Sequence, residues 1–192
     1  MIRSLLPLDF NAVLEVINDA AQAYKGVIPD DRWKEPYMSA DELRKEVEAG
    51  VQLFGQMKGE QLVGVAGIQA LKDTTLIRHA YVLPSFQSKG IGARLLKYLM
   101  GLAGTDEVLV GTWADATWAI RFYEKHGFEM VSPEEKDRLL RAYWSIPDRQ
   151  IETSVVLRTA SGDKFRIRFP SKSKCQLESK CLNAETGSSC HR

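Results

Sequence analysis

The sequence predicts an α/β fold of the α+β kind, with a mixed central sheet of about six to seven strands and helices on both faces. Three observations support this prediction. Extended apolar runs alternate with helical segments over roughly the first 158 residues, two helical segments begin with a capping-box pattern, and a glycine-rich turn joins a strand to a helix in mid-chain. The length of 192 residues and the hydrophobic content of 44% suit one globular domain.

The N-terminal part is predicted to contain a short strand, two helices and a β-hairpin. Asp9 is expected to cap the first helix, in which apolar residues recur at helical spacing from Phe10 to Tyr24. The segment Ser39-Ala40-Asp41-Glu42 has the capping-box pattern that begins a second helix. Extended runs predict strands at 2–6, 51–57 and 61–70.

The remainder of the domain is predicted to alternate strands and helices. A helix follows the glycine-rich turn. Asp115 is expected to cap another that runs to Gly127, which suits the left-handed position after a helix end. The segment Ser132-Pro133-Glu134-Glu135 is a second capping box, with proline at the favoured first helical position. Further strands are predicted at 74–82, 108–113, 128–132 and 151–157.

The composition changes after Arg158. Residues 1–158 are expected to form the domain, and residues 159–192 a polar, disordered tail with weak apolar periodicity. The chain's three cysteines, Cys175, Cys181 and Cys190, lie in this tail. They are separated by five and eight residues rather than the two to four typical of zinc pairs, so we expect no metal site.

The charge and hydropathy of the chain exclude several classes of protein. The formal net charge is +1, which gives no strong field for nucleic acid or an anionic membrane. No apolar run approaches the roughly 18 residues of a membrane span, and the N-terminus lacks a signal-peptide pattern. We therefore expect a cytoplasmic location, while the sequence leaves a homodimer open.

The segment from Gln87 to Ala93 carries the clearest chemical signal. It follows a predicted strand and opens a helix, whose first amide groups lack internal partners and lie at the positive end of the helix dipole. Gly90 and Gly92 remove side chains that would keep a diphosphate away, and Lys89 can add positive charge. A tight turn without a ligand is the alternative. A dinucleotide fingerprint fits less well, because a third glycine at the required spacing is missing.

Two segments resemble motifs of the GNAT superfamily of N-acetyltransferases. Residues 79–92, HAYVLPSFQSKGIG, resemble motif A, a strand ending in V-x-P followed by Q/R-x-x-G-x-G/A. Residues 119–128, AIRFYEKHGF, resemble motif B, A-x-x-x-Y-E-K-x-G-F. The resemblance in element order covers roughly residues 1–158, and it implies the GNAT fold.

The resemblance implies that acetyl-CoA binds in a V-shaped opening between two splayed parallel strands, here 74–82 and 108–113. Family members often place an asparagine seven residues before the motif B tyrosine. Ala116 occupies that position here, and the hydroxyl group of Thr117 can substitute. The implied cofactor-binding residues are Tyr81, Val82, Gln87, Ser88, Lys89, Gly90, Ile91, Gly92, Ala93, Thr117 and Tyr123.

The same resemblance makes Tyr123 the acid that protonates the departing CoA sulfur. With an ordinary tyrosine pKa of about 10, it holds its proton at neutral pH. The alternative role of Tyr123 is that of a packed helix aromatic residue. A backbone amide near Val82 would stabilise the oxyanion.

His79 is the candidate general base, because an imidazole titrates in a suitable range to take a proton from an ammonium group. Strand alternation is expected to place it on the same face as Ile77 and Tyr81. A hydrogen-bonded core histidine and a water chain in place of a fixed base stay open. Glu152, on the predicted last strand, is a weaker candidate base. His126 is expected to be a residue of the helix C-terminus.

By resemblance, the acceptor groove is walled by Trp33 and Tyr37 from the loop at 25–38 and by Tyr143 and Trp144 before the last strand. Alternatively, the last two residues pack their own helix against the core.

The predicted function is transfer of an acetyl group from acetyl-CoA to a primary amine of a small molecule, by direct attack in a ternary complex. Alternatives are a protein N-terminal or lysine acetyltransferase, a non-catalytic acyl-CoA sensor, and a nucleotide-binding module, which the missing Walker pattern disfavours.

Overall fold

The structure, a computed structural model, describes residues 1–160. The tail predicted at 159–192 therefore lies outside the described residues except for its first two positions, and so do all three cysteines.

Within residues 1–160, seven strands form one mixed sheet, which confirms the predicted fold class. Their spatial order is β1-β2-β3-β4-β5-β7-β6, and among these described strands only β4 and β5 pair in parallel. Every other neighbouring pair is antiparallel. The strands are β1 Ile2–Ser4, β2 Gln52–Lys58, β3 Gln61–Ala70, β4 Thr75–Val82, β5 Val108–Trp113, β6 Phe128–Met130 and β7 Ser154–Thr159.

Helices cover both faces of the sheet, as their apolar stripes require. The helices are α1 Phe10–Ala21, α2 Ala40–Glu48, α3 Ile91–Met100, α4 Thr117–Lys125, α5 Pro133–Tyr143 and α6 Asp148–Glu152. Leu95 and Leu99 of α3 pack in one cluster with Ile77 of β4. The preceding strand residue, Leu76, points the opposite way and packs against Leu140 of α5.

The first pair of helices lies beside α5 on that second face. Val16 and Ile17 of α1 and Leu43 of α2 form a buried cluster with Val65 of β3. The predicted capping box of α2 is present, because the Ser39 hydroxyl accepts from the Glu42 amide and the Glu42 carboxylate accepts from Ser39. This box fixes where α2 begins and hence which of its residues face β4.

Two of the predicted helix caps are wrong. Asp9 directly precedes α1 but does not cap it, because its carboxylate accepts from the Leu6 amide at 2.8 Å and from Arg3 at 2.7 Å. Asp115 is exposed, and Ala116 takes the N-cap position of α4 without a side-chain cap among the described residues.

The second predicted capping box forms only in part. The Ser132 hydroxyl accepts from the Glu135 amide at 3.3 Å, as predicted. The Glu135 carboxylate instead accepts hydrogen bonds from Arg138 and Arg158. A charged donor forms a stronger hydrogen bond with a carboxylate than a backbone amide does, which explains why the two arginines replace the Ser132 amide as partners of Glu135.

The beginning of the predicted last strand is also wrong. Ile151 and Glu152 belong to α6, and β7 starts at Ser154. Pro147, with its fixed φ, precedes α6, and Asp148 favours the positive end of its dipole. Glu152 is therefore a helix residue paired with Arg149 at 3.2 Å, which removes the strand position on which its candidacy as a base rested.

The Asp9 carboxylate predicts a pH-dependent contribution to stability. Hydrogen bonds from Arg3 and the Leu6 amide lower its pKa to about 2. Its stabilisation is therefore fully present above the unfolded value of about 4 and is lost as the pH falls through the folded value. Asp9→Asn should lower the Tm by a few degrees at pH 7, and the difference from wild type should shrink below pH 4.

Thermal unfolding followed by circular dichroism from pH 2 to pH 7 measures this difference. Asp19→Asn removes the same charge from an exposed position of α1 and should leave the Tm nearly unchanged. A Tm difference for Asp9→Asn that stays constant over this pH range would contradict the assignment.

Candidate active site

The centre of the site is a gap between β4 and β5. Their parallel pairing joins Thr75–Ile77 to Val108–Val110 and extends no further in residues 1–160. Both strands continue beyond the paired part, β4 to Val82 and β5 to Trp113. The two strands therefore splay apart, as the motif resemblance implied.

A β-bulge in β4 accompanies the gap. Opposite β3, Arg78 pairs with Gly67 and Tyr81 with Val65, so His79 and the next residue together oppose a single residue of β3. His79 has a φ of 51°, in the left-handed region that few non-glycine residues occupy. Such an extra residue bends its strand, which turns the second half of β4 away from β5.

Two glycines of β3 allow β4 to approach on both sides of the bulge. A Cβ atom at Gly67 would lie 3.1 Å from the carbonyl oxygen of Arg78, and one at Gly64 would lie 3.3 Å from that of Tyr81. Sequence reasoning did not identify these positions. The available signal was a strand with two interior glycines, a pattern that often marks a close backbone approach.

Two cavities meet at this gap. One, of about 680 Å³, lies beside the turn at 86–93 and is called the glycine-loop cavity. The other, of about 800 Å³, opens between α2, the loop at 25–39 and the segment after α5, and is called the aromatic cavity. Both are lined by Tyr24, Ile77, Ala80, Tyr81, Ala119 and Tyr123.

The glycine-loop cavity has the features of an anion site. Gly90, with a φ of 73°, is the N-cap of α3, and Ser88 has a φ of 58°. No side-chain group from the described part of the chain caps α3, so its first amide groups remain available to a ligand. Gln87 stabilises the turn through a hydrogen bond from Nε2 to the Val82 carbonyl at 3.1 Å.

The helix that follows the turn lies against α4. A Cβ atom at Gly92 would lie 3.4 Å from the ring of Phe122, so a larger residue there would meet that ring. Ile91 packs into the core below, while Val82, Gln87, Ser88, Gly90, Ile91, Gly92 and Ala93 all line the glycine-loop cavity.

The positive charge of this cavity does not come from Lys89. Its ammonium group donates to the Ser85 carbonyl at 2.7 Å and lies 5.0 Å from the ring centroid of Phe86, outside the cavity lining. Lys125, the last residue of α4, lines the cavity and is the cation in its lining within residues 1–160. Lys125 was missed as a candidate because its distance from the turn along the chain conceals its proximity in space.

Thr117 is also misplaced by the sequence prediction. It is the first residue of α4, is exposed, and lines neither cavity. Trp118 lines the glycine-loop cavity and stacks on Tyr24, with ring centroids 5.7 Å apart. The first turn of α4 thus directs an indole, not the predicted hydroxyl, toward the cavity.

Tyr123 lies where the two cavities join. Its side chain is 6% exposed and packs edge-on against Phe122 and Phe128. Burial raises its pKa, and the neighbouring Tyr24 adds to the effect. Tyr123 is therefore both a packed helix aromatic and a proton-bearing group at the junction.

The aromatic cavity is lined by several tyrosines and tryptophans. Burial raises the pKa values of Tyr24, Tyr37 and Tyr81, and close contact among these phenols adds to the shift for Tyr24 and Tyr81. Trp113 Nε1 donates to the Tyr37 hydroxyl at 2.8 Å, which fixes that ring. All of the predicted acceptor residues, Trp33, Tyr37, Tyr143 and Trp144, line this cavity.

The predicted alternative role of Trp144 also has structural support. Its indole lies 3.5 Å from the position that a Cβ atom at Gly111 would take, and the Arg78 guanidinium lies 5.9 Å from its ring centroid. Trp144 and Tyr143 pack against the cluster of α5 and α6. These two residues therefore seat their helix and line the cavity at once.

His79 enters the aromatic cavity with Arg78 and Glu46. The expectation that it shares a face with both Ile77 and Tyr81 is wrong. Ile77 packs toward α3, whereas Tyr81 packs with the cluster of α1 and α2. The bulge adds one residue between them and so reverses the alternation.

Residues 1–160 contain no group of three or more histidine, cysteine, aspartate or glutamate residues arranged for a metal ion. Within this range, no helix combines the length and apolarity needed to span a membrane.

Comparison with known proteins gives the same family from sequence and the same fold from structure. A family model described as an acetyltransferase (GNAT) domain matches residues 17–143. N-alpha-acetyltransferase RimI from Mycobacterium tuberculosis is 32% identical over 113 residues, which cover 57% of this chain. The match spans 66% of that relative's length, just under two thirds.

Solved structures share the architecture over most of the chain. The PaiA N-acetyltransferase from Thermoplasma acidophilum, in complex with coenzyme A, has a TM-score of 0.63 at 18% identity, covering 83% of this chain and 97% of that one. The ribosomal-protein-S18-alanine N-acetyltransferase from Escherichia coli has a TM-score of 0.59 at 18% identity, covering 85% and 97%. At these identities the likeness concerns the fold.

The glycine-loop cavity predicts that acetyl-CoA stabilises the protein. At about 100 times its Kd, a ligand that binds only the native state stabilises it by about 2.7 kcal/mol, which should raise the Tm by several degrees. Gly90→Glu should abolish the shift, because its carboxylate would face the diphosphate at the helix N-terminus.

Differential scanning fluorimetry with and without acetyl-CoA measures both effects. Gly59→Glu is the matched control, since Gly59 has a φ of 60° in the β2–β3 turn and the substitution adds the same strain and charge away from the cavity. A ligand-induced shift that survives in Gly90→Glu would place the diphosphate elsewhere.

Proposed function

Because the chain belongs to the GNAT acetyltransferase family, we propose that it transfers an acetyl group from acetyl-CoA to a primary amine of a small molecule. The observation that carries this proposal is the junction of two cavities at the splayed strands, with a protonated tyrosine at that point. One cavity suits an anionic cofactor and the other a compact organic acceptor. The proposal keeps the cytoplasmic location predicted from the sequence.

The residues around the glycine-loop cavity fit the cofactor. The amide groups from Ser88 to Ala93 would hold the pyrophosphate, with Lys125 as the nearby cation. Beyond Ile77, β4 has no strand partner on the β5 side within residues 1–160, so backbone groups near Tyr81 and Val82 are free to pair with the pantetheine arm as an added strand would.

The reaction needs three contributions from the protein. Acetyl-CoA supplies the acetyl group as a thioester, whose C–S bond breaks once the amine nitrogen has bonded to the carbonyl carbon. His79 accepts a proton from the acceptor ammonium, and a backbone amide near Val82 stabilises the oxyanion. Tyr123 donates its proton to the departing sulfur and regains one from the acylated nitrogen. The net products are the amide, coenzyme A and one proton.

A small-molecule acceptor is supported by the size and walls of the aromatic cavity. Its volume of about 800 Å³ lies within the range of small-molecule sites, and such sites combine aromatic walls with a few polar groups. The protonated phenol of Tyr123 at the junction supports catalysis over a non-catalytic acyl-CoA sensor. A protein N-terminal amine is the second candidate acceptor, favoured by the 32% identity to an N-alpha-acetyltransferase.

A release assay for coenzyme A should distinguish the acceptors. We expect small primary amines to be acetylated with a kcat/KM at least about tenfold above that of short peptides with a free N-terminus. The same peptides with a blocked N-terminus are the control for side-chain acetylation and hydrolysis. A preference for free N-terminal peptides would replace the small-molecule acceptor by the second candidate.

The position of Tyr123 predicts an effect on the transition state rather than on binding. Tyr123→Phe keeps the ring and its contacts but removes the proton. Because general-acid assistance is typically worth about 10² to 10⁴ in rate, kcat should fall at least about tenfold while the Kd for acetyl-CoA changes little.

Steady-state kinetics and a binding titration on the same variant test this separation. Tyr98→Phe is the matched control, since Tyr98 is 38% exposed on α3 and packs on Phe54 away from both cavities. A kcat within about twofold of wild type when chemistry is rate-limiting would assign Tyr123 a packing role only.

A further inference from the structure

A carboxylate from α2 reaches the candidate base. His79 Nε2 lies 3.4 Å from Glu46 Oε2, without the alignment of a hydrogen bond. The same oxygen accepts a hydrogen bond from the guanidinium of Arg78. The side chain of His79 is 9% exposed and that of Glu46 is 28% exposed. Two consecutive residues of β4, Arg78 just before the bulge and His79 in it, therefore contact one carboxylate that lines the aromatic cavity.

His79 Nε2 is buried and has no hydrogen-bond partner within residues 1–160. A buried polar nitrogen without a partner is costly unless a function requires it. The Glu46 carboxylate lies 3.4 Å from this nitrogen, and a carboxylate at that distance favours the tautomer that carries the proton on Nε2. The other nitrogen, Nδ1, then has the free lone pair that a general base needs.

We propose that Glu46 is a positioning residue, which holds the proton of His79 on Nε2 and stabilises the imidazolium formed when Nδ1 accepts a proton from the acceptor ammonium. The proposal rests on the proposed acetyl transfer and specifies its base. In the step, the N–H bond of the ammonium breaks, the Nδ1–H bond forms, and the amine keeps the electron pair with which it attacks the thioester.

Glu46 is ionised over the pH range of interest. Burial alone would raise its pKa, but its contacts with His79 and Arg78 outweigh burial and lower it. A carboxylate at this distance favours a charged imidazole, whereas the adjacent guanidinium opposes it. The two neighbours of His79 therefore carry opposite charges.

Other titratable groups line the same cavity. Glu42 is paired with Lys34, and Lys45 is exposed. Burial raises the pKa values of Tyr37 and Tyr81, so both stay neutral. The charged side chains closest in the chain or in space to His79 are therefore Arg78, its neighbour in β4, and Glu46, which contacts both residues.

Kinetic pH profiles of four proteins test the proposal. In wild type, kcat/KM should rise with pH through an apparent pKa in the range that histidine reaches, and His79→Gln should remove this rise. Glu46→Gln should move the rise to lower pH by about one unit and lower the plateau about tenfold. Arg78→Gln should move the rise to higher pH.

Opposite shifts distinguish an electrostatic role from a structural one, because damage to the cavity would not move the two profiles in opposite directions. Glu46→Asp keeps the charge and should restore most of the wild-type midpoint, although its shorter side chain keeps the plateau low. Glu48→Gln is the control on the same helix, exposed and outside both cavities, and should behave as wild type.

A titration without substrate gives a second readout. The chain has three histidines, so the imidazole signal of His79 can be assigned in NMR spectra by its loss in His79→Gln. We expect its titration midpoint to fall in Glu46→Gln and to rise in Arg78→Gln relative to wild type. Equal midpoints in all three proteins would overturn the proposal. A pH-dependent rise of kcat/KM that persists in His79→Gln would also overturn the proposal, although the proposed acetyl transfer itself would then stand.

Discussion

The site depends on one extra residue in β4. Parallel pairing with β5 ends at Ile77, and the bulge opposite β3 follows directly. If β4 ran as a regular strand through these residues, Tyr81 would lie on the same face as Ile77, toward α3, and β4 could continue beside β5. With it, the backbone from His79 to Val82 diverges, and two cavities meet at the gap. A local change in strand geometry therefore creates both the space and the exposed backbone groups that the chemistry needs.

The bulge also explains why the environment of the candidate base differs from an ordinary strand interior. A left-handed φ at a histidine costs of order 1–3 kcal/mol and persists only where surrounding contacts impose it. Here Gly64 and Gly67 allow close packing on one side, and Glu46 contacts the bulge on the other. The strain brings His79 and Arg78 to the same carboxylate, which an undistorted strand, with side chains on alternate faces, would separate.

The sequence predicted the features that depend on local chain chemistry. The capping box at Ser39, the left-handed Gly127 and the glycine turn before α3 each follow from a few neighbouring residues, and the structure contains all three. Features that depend on a side chain from elsewhere in the fold were not predictable in this way. Asp9 pairs with Arg3 instead of capping α1, because the Arg3 guanidinium from β1 competes for the carboxylate.

The errors in the site have the same origin. Lys89 was assigned to the cavity because it adjoins the glycines, yet the turn geometry directs it to Ser85. Thr117 and Trp118 differ by one position, which on a helix is a rotation of about 100°, so a slight error in the helix start exchanges the two side chains. The bulge could not be recognised from hydrophobic periodicity, because β4 is too short for a one-residue change of face to stand out in its sequence.

The distribution of charge makes deprotonation the demanding step of the proposed reaction. Three of the tyrosines at the cavity junction are neutral at physiological pH because burial raises their pKa values. Such an environment suits Tyr123 as a proton donor but disfavours an ammonium group, which must lose its proton before it can attack. A base is therefore most effective where charge can be balanced. Glu46 provides that balance at His79, because its carboxylate lies 3.4 Å from the imidazole and lines the same cavity.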